Sequence, residues 1–487
     1  MGEMSSGILP VIPIDRAADM PLHRQVYAGF RNAILRGDLA AGQQVPSSRS
    51  LATELEISRF PVLDAYAQLL AEGYFETRVG AGTFVSAAIP AQRPQPQTAS
   101  PRPVAPRPTS RRSLLFPPRE PLPWRNGWGS FGVHQPALDQ FPFEIWSRLV
   151  SRHARDPRIN VMRIDPLGLP SFRDAICSYL RTARAVRCDP GQIMVVAGSQ
   201  QALDITARVL LDPGDAVWIE EPCYSLVRAL LLGSGCRTVP VPVDTEGMDV
   251  DAGMRLGPDA RVAFVTPSHH YALGVTMSAS RRFQLLEWAQ RASAWVVEDD
   301  YDSEYRFESM PIPSLQGLDP DNRVIYIGTF SKVLRPSLRL GYIVIPPDLV
   351  ERFTAVRFAM DIFPPYLFQE VMTDFMRAGH FGRHIRRMRT LYKGRRTALV
   401  DCLRREFGDL LQIHGSEAGM HLTVTLPPGF SDVEIATRAA QEKLWLWPLS
   451  LCYTGTPAQQ GFLLGYANTP EEHMAAAVRH LRLILAL

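Results

Sequence analysis

The chain has 487 residues, of which 46% are apolar and 21% charged, and its formal net charge is +3. This length and composition exclude a disordered or fibrous protein and predict two or three globular domains with sizeable cores. The small net charge decides neither for nor against nucleic acid as a partner.

Cysteine usage and hydropathy indicate a cytoplasmic protein. The six cysteines are scattered, with no CxxC pair and no metal-ligand spacing, so we expect free thiols and no metal site. No apolar run approaches the ~20 residues that cross a bilayer, which predicts no membrane partner. The first residues lack the charged-then-apolar pattern of a secretory signal.

Residues 1–86 carry the pattern of three helices and a hairpin. Apolar residues recur every fourth position over 22–34, as on one face of a helix. A short helix is predicted over 48–55, and a third begins after Ser58, a good N-cap residue, and runs to about residue 72. The segment YFETRVGAGTFVS then alternates around a glycine turn, as a hairpin does. We predict a winged helix-turn-helix, whose last helix enters a major groove while the wing touches the DNA backbone.

Five residues of this unit are predicted to contact DNA phosphates or base edges: Arg49, Ser58, Arg59, Gly82 and Thr83. Residues 1–86 hold seven arginines and nine acidic residues, a net charge of 7 − 9 = −2. DNA binding therefore requires that the arginines cluster on one face. The alternative is a winged helix that makes only protein contacts.

This region resembles the winged-helix domain of the GntR family of transcription regulators. The resemblance rests on the motifs PSSRSLA, ISR, AYAQL, EGY and GAGTFV, and it covers nearly all of residues 20–86. It implies double-stranded operator DNA as a partner. The sequence departs from the family at Phe60 and Pro61, where small or hydroxylated residues are common.

Residues 87–125 have the composition of a linker rich in proline and arginine. They contain eleven prolines, seven arginines and one acidic residue, a net charge of 7 − 1 = +6. With almost nothing to bury, such a segment cannot offset the entropy of ordering and stays extended. We predict a spacer whose positive charge could strengthen binding to a polyanion.

From about residue 126 to residue 487, apolar runs alternate with helical stretches. The predicted strands cover 193–198, 216–220, 261–267, 294–300, 323–329 and 341–346. Continuous apolar strands separated by helices predict an α/β domain with a mostly parallel sheet covered on both faces. Ligands of such sheets gather beyond the carboxyl ends of the strands.

Several residues at these strand ends suit an anion. Ser199 and Gln200 open a helix, where backbone N–H groups and a hydroxyl form a cradle. Thr329, Ser331 and Arg339 surround the end of another strand, and their hydroxyls and guanidinium suit a phosphate.

Other strand-end residues describe a planar, cationic and reactive ligand. Tyr224 could cover a flat ring, and the acids at 298–300 need a cationic partner if they are buried. Lys332 is the first of only three lysines, with Lys393 and Lys443, although Lys plus Arg number 52. An amine can lose its proton and form an imine, which a guanidinium cannot. A ligand with all these properties is pyridoxal 5′-phosphate.

Residues 130–487 resemble the fold type I aminotransferases, through the motifs GSQQALDI, EDDYDSEYR and GTFSKVLRPSLRLGY in that order. The resemblance implies that Lys332 is the Schiff-base lysine and that Asp299 pairs with the pyridine nitrogen. It implies that Tyr301 bonds the ring oxygen and that Tyr224 stacks on the ring. The residues implied in holding the phosphate are Ser199, Gln200, Thr329 and Arg339.

Three departures distinguish the sequence from these enzymes. Leu463 occupies the position of the arginine that pairs with the substrate carboxylate. Tyr271 and Ala272 replace the asparagine and proline of the NPTG loop, which places Tyr271 near the ring oxygen. Arg163 replaces a tyrosine that contacts the phosphate of the partner subunit. Because a buried carboxylate without a cation is strongly disfavoured, these changes argue against ordinary amino-acid transamination.

The whole chain resembles the MocR subfamily of GntR regulators, which are usually head-to-tail homodimers. The resemblance implies a DNA-binding domain (1–86), a linker (87–125) and an effector domain (126–487) whose ligand modulates DNA binding. That ligand is either pyridoxal 5′-phosphate itself, with control of a gene of vitamin B6 metabolism, or an amino compound. A carboxylate on the amino compound would need Arg163 or Arg228. The alternatives are an active transaminase with an appended DNA-binding domain, and a scaffold that has lost its cofactor.

Overall fold

The computed structural model divides into two compact units, residues 1–108 and residues 109–487. The described residues are 12–78, 80–88, 107–116, 123, 129–156, 164–307 and 312–486. Most of the predicted linker and Arg163 lie outside them. Within the described ranges, no helix combines the length and the hydropathy needed to cross a membrane.

Three helices and a two-stranded hairpin make up the first unit, which confirms the predicted winged helix. The elements are α1 (Leu22–Arg36), α2 (Ser48–Glu54), α3 (Arg59–Ala71), β1 (Phe75–Arg78) and β2 (Gly82–Val85). The two strands pair antiparallel around the turn at Gly80 and Gly82, which have φ angles of +76° and +110°. Glycine is favoured in this left-handed region because it has no Cβ.

An aromatic cluster holds the first unit together. The rings of Phe30, Tyr66 and Phe75 pack edge to face, with centroids 5.2–5.6 Å apart. The Tyr66 hydroxyl donates a hydrogen bond to the Pro46 carbonyl at 2.8 Å, so its polar atom has a partner in the core. The buried residues of α3 are Val62, Ala65, Tyr66 and Leu69.

The start of α3 differs from the prediction in one respect. Ser58 precedes the helix as expected, but its side chain makes no capping hydrogen bond. The reason is Pro61, which stands at the third helical position and has no N–H to donate to the serine hydroxyl. Ser47, which precedes α2, does accept such a bond from the Ser50 N–H at 3.1 Å.

The second unit contains a central eight-stranded sheet. Its strands are β3 (Ile193–Val196), β4 (Ala216–Glu221), β5 (Arg237–Asp244), β6 (Gly247–Met248), β7 (Ala260–Val265), β8 (Trp295–Asp300), β9 (Val324–Thr329) and β10 (Gly341–Val344). Their order across the sheet is β3-β10-β9-β8-β7-β4-β5-β6. From β9 to β5 the strands are parallel, whereas β10 is antiparallel to both of its neighbours and β6 is antiparallel to β5. The predicted parallel sheet is confirmed in its centre, and the sheet as a whole is mixed.

The strand β5 has no counterpart among the predicted strands, and it contains Pro240 and Pro242, which cannot donate to a neighbouring strand. The structure accommodates them at an edge. β6 pairs only with Val243 and Asp244, so no outer strand requires the missing N–H groups of the two prolines.

Helices cover both faces of this sheet. Along β3, Ile193 and Val195 pack into one core, whereas Met194 and Val196 pack into another, as strand alternation requires. The helices up to β11 are α4 (Phe143–Ala154), α5 (Pro170–Arg184), α6 (Ser199–Leu210), α7 (Ser225–Gly233), α8 (Val250–Leu256), α9 (Ala279–Arg291), α10 (Leu315–Leu318), α11 (Val350–Asp361), α12 (Leu367–Arg377) and α13 (His380–Phe407).

A smaller antiparallel sheet completes the second unit. Its strands are β11 (Gln412–His414), β12 (His421–Thr425), β13 (Trp447–Pro448) and β14 (Gly461–Gly465), in the order β11-β12-β14-β13. Residues of this sheet share a core with α13 and with two later helices, α14 (Asp432–Gln441) and α15 (Glu471–Leu485). All six cysteines are free, as predicted, and the structure shows that they are also buried.

A buried ion pair ties α5 to the end of β8. Arg184 Nε lies 2.8 Å from Asp300 Oδ2, and the two side chains are 3% and 1% exposed. The guanidinium also donates to Ser268 Oγ at 2.7 Å and to the Ile312 carbonyl at 2.8 Å. This arrangement fixes the end of β8, which carries the acids singled out in the sequence.

Replacing Arg184 by methionine should leave the Asp300 carboxylate unpaired in the core and lower the free energy of unfolding by about 3–5 kcal/mol. Chemical denaturation of the purified protein measures this change. Arg208→Met is the matched control, because Arg208 pairs with Asp204 near the surface, where such pairs contribute about 0–1 kcal/mol. Equal stability of the two variants would contradict a structural role for the buried pair.

Candidate functional site

The three acids that end β8 have different environments. Glu298 and Asp300 lie on one face of the strand, and the Glu298 carboxylate accepts hydrogen bonds from the N–H groups of Leu315 and Gln316, both at 3.0 Å. Asp299 lies on the other face, and its buried Oδ1 has no hydrogen-bond partner among the described residues. Asp300 Oδ1 and Asp302 Oδ1 also lack a partner there, but the other oxygen of each of those carboxylates accepts a hydrogen bond. Because a buried carboxylate oxygen without a partner is costly, Asp299 is a candidate to accept from a ligand.

Asp299 opens onto a cavity at the carboxyl edge of the central sheet. The residues lining this cavity are His134, Ser199, Tyr224, Thr266, Tyr271, Asp299, Tyr301 and Lys332. The structure therefore brings together six residues that the sequence predicted to bind the cofactor. It adds His134 and Thr266, which the sequence did not predict.

Three of the predicted cofactor residues, Gln200, Thr329 and Arg339, do not line the cavity. Arg339 precedes β10, and its Nη1 lies 3.4 Å from the position of a Cβ placed on Gly198. Gly198 has a φ of +109° and directly precedes α6, so a guanidinium and the N-terminus of a helix meet there without an intervening side chain. Both groups favour an anion.

Gln200 and Thr329 lie beside this anion-binding corner. The Gln200 side chain donates to the Leu226 carbonyl at 3.3 Å, while its buried Oε1 has no hydrogen-bond partner among the described residues. Thr329 Oγ1 accepts a hydrogen bond from the Ser331 N–H at 3.2 Å. Thr329 thus shapes the loop that carries Lys332.

Burial and neighbouring charges set the protonation of the Lys332 amine. Burial lowers the pKa of Lys332 to about 8, against the opposing effect of the Asp302 and Asp299 carboxylates, and Arg339 lowers it further. Burial and the neighbouring Asp300 raise the pKa of Asp299 to about 7, and Lys332 opposes that rise. An appreciable fraction of the Lys332 amine is therefore unprotonated, and nucleophilic, near neutral pH.

One wall of the cavity is aromatic. The rings of His134 and Tyr271 stack with centroids 5.3 Å apart, and His134 Nε2 lies 3.0 Å from the Tyr271 hydroxyl. The Tyr224 ring is 4.9 Å from the Tyr271 ring. Burial, followed by the Lys332 charge, holds the pKa of His134 well below its usual value, so this ring is neutral. His134 has a φ of +69°, a strained conformation of the kind that clusters at functional sites, and no spacing in the sequence indicated it.

A buried polar network stands behind Tyr301. The Tyr301 hydroxyl lies 3.0 Å from His269 Nδ1, and that nitrogen lies 3.2 Å from Asp302 Oδ2. With His421, these last two side chains place potential metal ligands within 4.8 Å of one another. Asp302 also accepts from the Met420 N–H at 3.2 Å. Each of the three side chains makes a hydrogen bond through one atom, while His269 Nε2 and Asp302 Oδ1 are buried without a partner among the described residues. The bond from His269 Nδ1 to the Tyr301 hydroxyl positions that tyrosine.

The region of Leu463 is apolar. Leu463 lies on β14, is fully buried, and shares a hydrophobic cluster with Tyr271 and Tyr301. Arg228, considered from the sequence as a partner for a carboxylate, donates to the Tyr453 carbonyl at 3.0 Å. Two cationic side chains among the described residues act on the groups of the cavity. Lys332 lowers the pKa of His134, and Arg339 lowers the pKa of Lys332.

The predicted DNA contacts of the first unit lie around a groove. Gly82 and Thr83 of the wing line it together with Ser48 and residues of α3. Arg49 and Ser58 are exposed, and Arg59, also exposed, donates from its Nε to Ser48 Oγ at 3.1 Å. The structure thus places the predicted residues at the start of α2, the start of α3 and the wing.

Both units match described families. Residues 22–85 match the bacterial regulatory proteins of the gntR family, and residues 139–481 match the class I and II aminotransferases. A solved kynurenine aminotransferase of Pyrococcus horikoshii, in complex with PMP, is 27% identical with a TM-score of 0.71, over 78% of this chain and 96% of that one.

Two relatives match over nearly the full length. The probable rhizopine catabolism regulatory protein MocR of Rhizobium meliloti is 41% identical over 97% of this chain and 95% of the relative. The HTH-type pyridoxine biosynthesis transcriptional regulator PdxR of Corynebacterium glutamicum is 31% identical over 92% of each chain.

The pKa of Lys332 tests the electrostatics of the cavity. Because the Asp299 carboxylate raises this pKa, Asp299→Asn should move it below its value of about 8. Acylation of each of the three lysines at a series of pH values, followed by mass spectrometry, measures the midpoint, with Lys393 and Lys443 as internal references. Asp204→Asn, a change on α6, is the matched control. An unchanged midpoint in Asp299→Asn would contradict the proximity of the two side chains.

Proposed function

Because the chain belongs to the MocR-type regulators, which join a GntR winged helix to a class I and II aminotransferase domain, it is a transcription regulator, and we propose that pyridoxal 5′-phosphate held at Lys332 controls its DNA binding. The observation that carries this proposal is the buried Asp299 Oδ1, which lacks a donor and shares a cavity with a lysine whose pKa is about 8. The aminotransferase class I and II fold is normally dependent on this cofactor.

The residues present fit the cofactor at both of its ends. Asp299 would hold the proton of the pyridine nitrogen, and a charged hydrogen bond of this kind is among the stronger ones in proteins. At the other end, Arg339 and the N-terminus of α6 would hold the phosphate beside Gly198, with Ser199 supplying a hydroxyl. A side chain at Gly198 would narrow this cradle.

The remaining residues would orient the ring and react with it. Tyr224 would cover one face, and Tyr301 and Tyr271 would approach the ring oxygen. When bound, the cofactor supplies an aldehyde that an amine can capture. Lys332 would act as that amine, because its proton is lost at a pH close to neutral. The neutral His134 would keep additional positive charge out of the cavity.

The winged helix would bind the operator through α3 and the wing. Arg49 and Arg59 would contact phosphates or base edges, and Ser58, Gly82 and Thr83 would lie against the DNA backbone. We propose a head-to-tail homodimer that reads two half-sites, located in the cytoplasm with residues 87–125 as the spacer between DNA-binding and effector domains.

Pyridoxal 5′-phosphate itself is the simplest signal for this site. The buried Leu463 leaves an α-carboxylate without a cation, which disfavours an amino acid as the ligand. A relative named as a pyridoxine biosynthesis regulator supports control of vitamin B6 genes. The second candidate is an active transaminase, which the likeness to a kynurenine aminotransferase favours. An amino compound that acts beside a resident cofactor is the other signal to be tested.

Replacing Arg49 or Arg59 by alanine should weaken operator binding by roughly 1–3 kcal/mol each, because each change removes a guanidinium from the proposed DNA surface. Mobility shifts at fixed salt measure the affinity, and a salt series separates phosphate contacts from base contacts. Arg208→Ala, an arginine of α6, is the control. If the Arg49/Arg59 double variant bound the operator like wild type, neither residue would belong to the interface.

Removing pyridoxal 5′-phosphate should change the operator affinity of the wild-type protein. Asp299→Ala should then need roughly 10–150-fold more of it for the same effect, because a hydrogen bond to a charged group contributes about 1.5–3 kcal/mol. Absorption titration of the apo protein measures binding, mobility shifts measure the response, and Asp204→Ala is the control.

The same samples decide between the candidate signals. An operator affinity that ignores pyridoxal 5′-phosphate, but changes when one amino compound is added, would make the cofactor a resident group and contradict its role as the signal. Turnover of an amino acid and a keto acid would favour the transaminase.

A further inference from the structure

Phe60 is an exposed aromatic residue at the start of the helix that faces DNA. It is 77% exposed, at the second position of α3, whereas Phe30, Tyr66 and Phe75 of the same unit are buried in its core. Exposed apolar residues are ordinary on protein surfaces, so exposure alone does not identify a contact. The position of Phe60 on α3 indicates which partner its ring contacts.

The direction of Phe60 follows from the helical period. The buried residues of α3 are Val62, Ala65, Tyr66 and Leu69. At 100° per residue, Phe60 lies almost opposite the centre of that buried face. Its ring therefore projects away from the core of the first unit. Pro61, the next residue, fixes its own φ and stiffens the backbone beside the ring.

The neighbours of Phe60 are suited to a nucleic acid. Arg59 precedes it, exposed and oriented by its hydrogen bond to Ser48 Oγ at 3.1 Å. Arg49 is exposed on α2. Asp64, one turn further along the same face of α3, is exposed and acidic, so charge alone does not identify the partner of Phe60. The start of the last helix of a winged helix enters the major groove, where a ring next to Arg59 is placed to meet a base edge, and this favours DNA over a second copy of the chain.

One base edge in the major groove presents an apolar group. This group is the C5 methyl of thymine, with which a phenylalanine makes favourable contact. The other groups that base pairs present in the major groove are hydrogen-bond donors and acceptors. We infer that Phe60 reads a thymine methyl and thereby specifies thymine at one position of each operator half-site. The inference rests on operator binding through α3, as in the proposed function, and is independent of the cofactor.

The experiment removes the methyl group and the ring separately. An operator is first selected in vitro with the full-length protein, and each thymine is then replaced by uracil, which lacks only the methyl. For wild type, uracil in place of the contacted thymine of one half-site should weaken binding about four-fold, the effect of roughly 0.8 kcal/mol for one buried carbon group. In Phe60→Ala the same replacement should have no effect.

Two controls separate this contact from other causes. Phe283→Ala removes a phenylalanine that is 58% exposed on α9 and should leave the methyl dependence unchanged. Phe60→Leu keeps an apolar side chain and should retain part of the dependence. Because Phe60 lies outside the core, its variants should keep the unfolding transition of wild type.

Two results would overturn the inference. The first is a wild-type affinity that no uracil replacement alters. The second is a methyl dependence that persists undiminished in Phe60→Ala, and a change of sedimentation in that variant would then assign Phe60 to self-association. Failure of wild type to select any operator would instead overturn DNA binding by the winged helix, so the two failures are distinguishable.

Discussion

The alternation of side chains at the end of β8 is the constraint on which the candidate site depends. Glu298, Asp299 and Asp300 follow one another, so the first and third share a face and the second has the opposite face to itself. On the shared face, the N–H groups that begin α10 bond Glu298 and the guanidinium of Arg184 pairs with Asp300 Oδ2. A slip of one residue would give Asp299 these partners and leave the cavity without its carboxylate. The buried ion pair lies outside the cavity, but it fixes the register of β8 that directs Asp299 into the cavity.

The reversed direction of β10 explains how Arg339 reaches the same edge of the sheet. In a parallel strand the residues before its start would lie at the opposite edge, far from the ends of β3, β8 and β9. Because β10 is antiparallel, Gly341 at its start pairs with Thr329 and Val196, near the ends of β9 and β3. In the strand order β3-β10-β9-β8, Lys332 follows β9 and so stands between the anion-binding corner beside β3 and Asp299 on β8. One mixed sheet thus arranges an anion site, an amine and a carboxylate in sequence along its edge.

Strand ends could be predicted from the sequence, whereas contacts between distant elements could not. Asp299 and Lys332 each follow a continuous apolar run, and the change from apolar to polar residues marks the edge where ligands bind. His134 comes from a loop before α4, and only packing brings it to the cavity. His421 comes from the second sheet, and packing brings it beside His269 in the network behind Tyr301. Local rules also failed where two of them competed. Ser58 is a favourable N-cap residue, but a proline at the third helical position removed the donor that it needed.

The apolar residues Leu463 and Phe60 have opposite meanings, and their burial tells them apart. Leu463 is fully covered by its own chain, so burial of its side chain already stabilises the fold. As an apolar residue it offers no positive charge to a ligand carboxylate. Phe60 is exposed and gains nothing from folding, so any advantage of its ring must come from a partner. A ligand changes DNA affinity only by as much as it distinguishes two states of the protein. If Leu463 disfavours amino acids, fewer ligands would be able to change DNA affinity, and a thymine contact at Phe60 would restrict the operator sequences to which the protein binds.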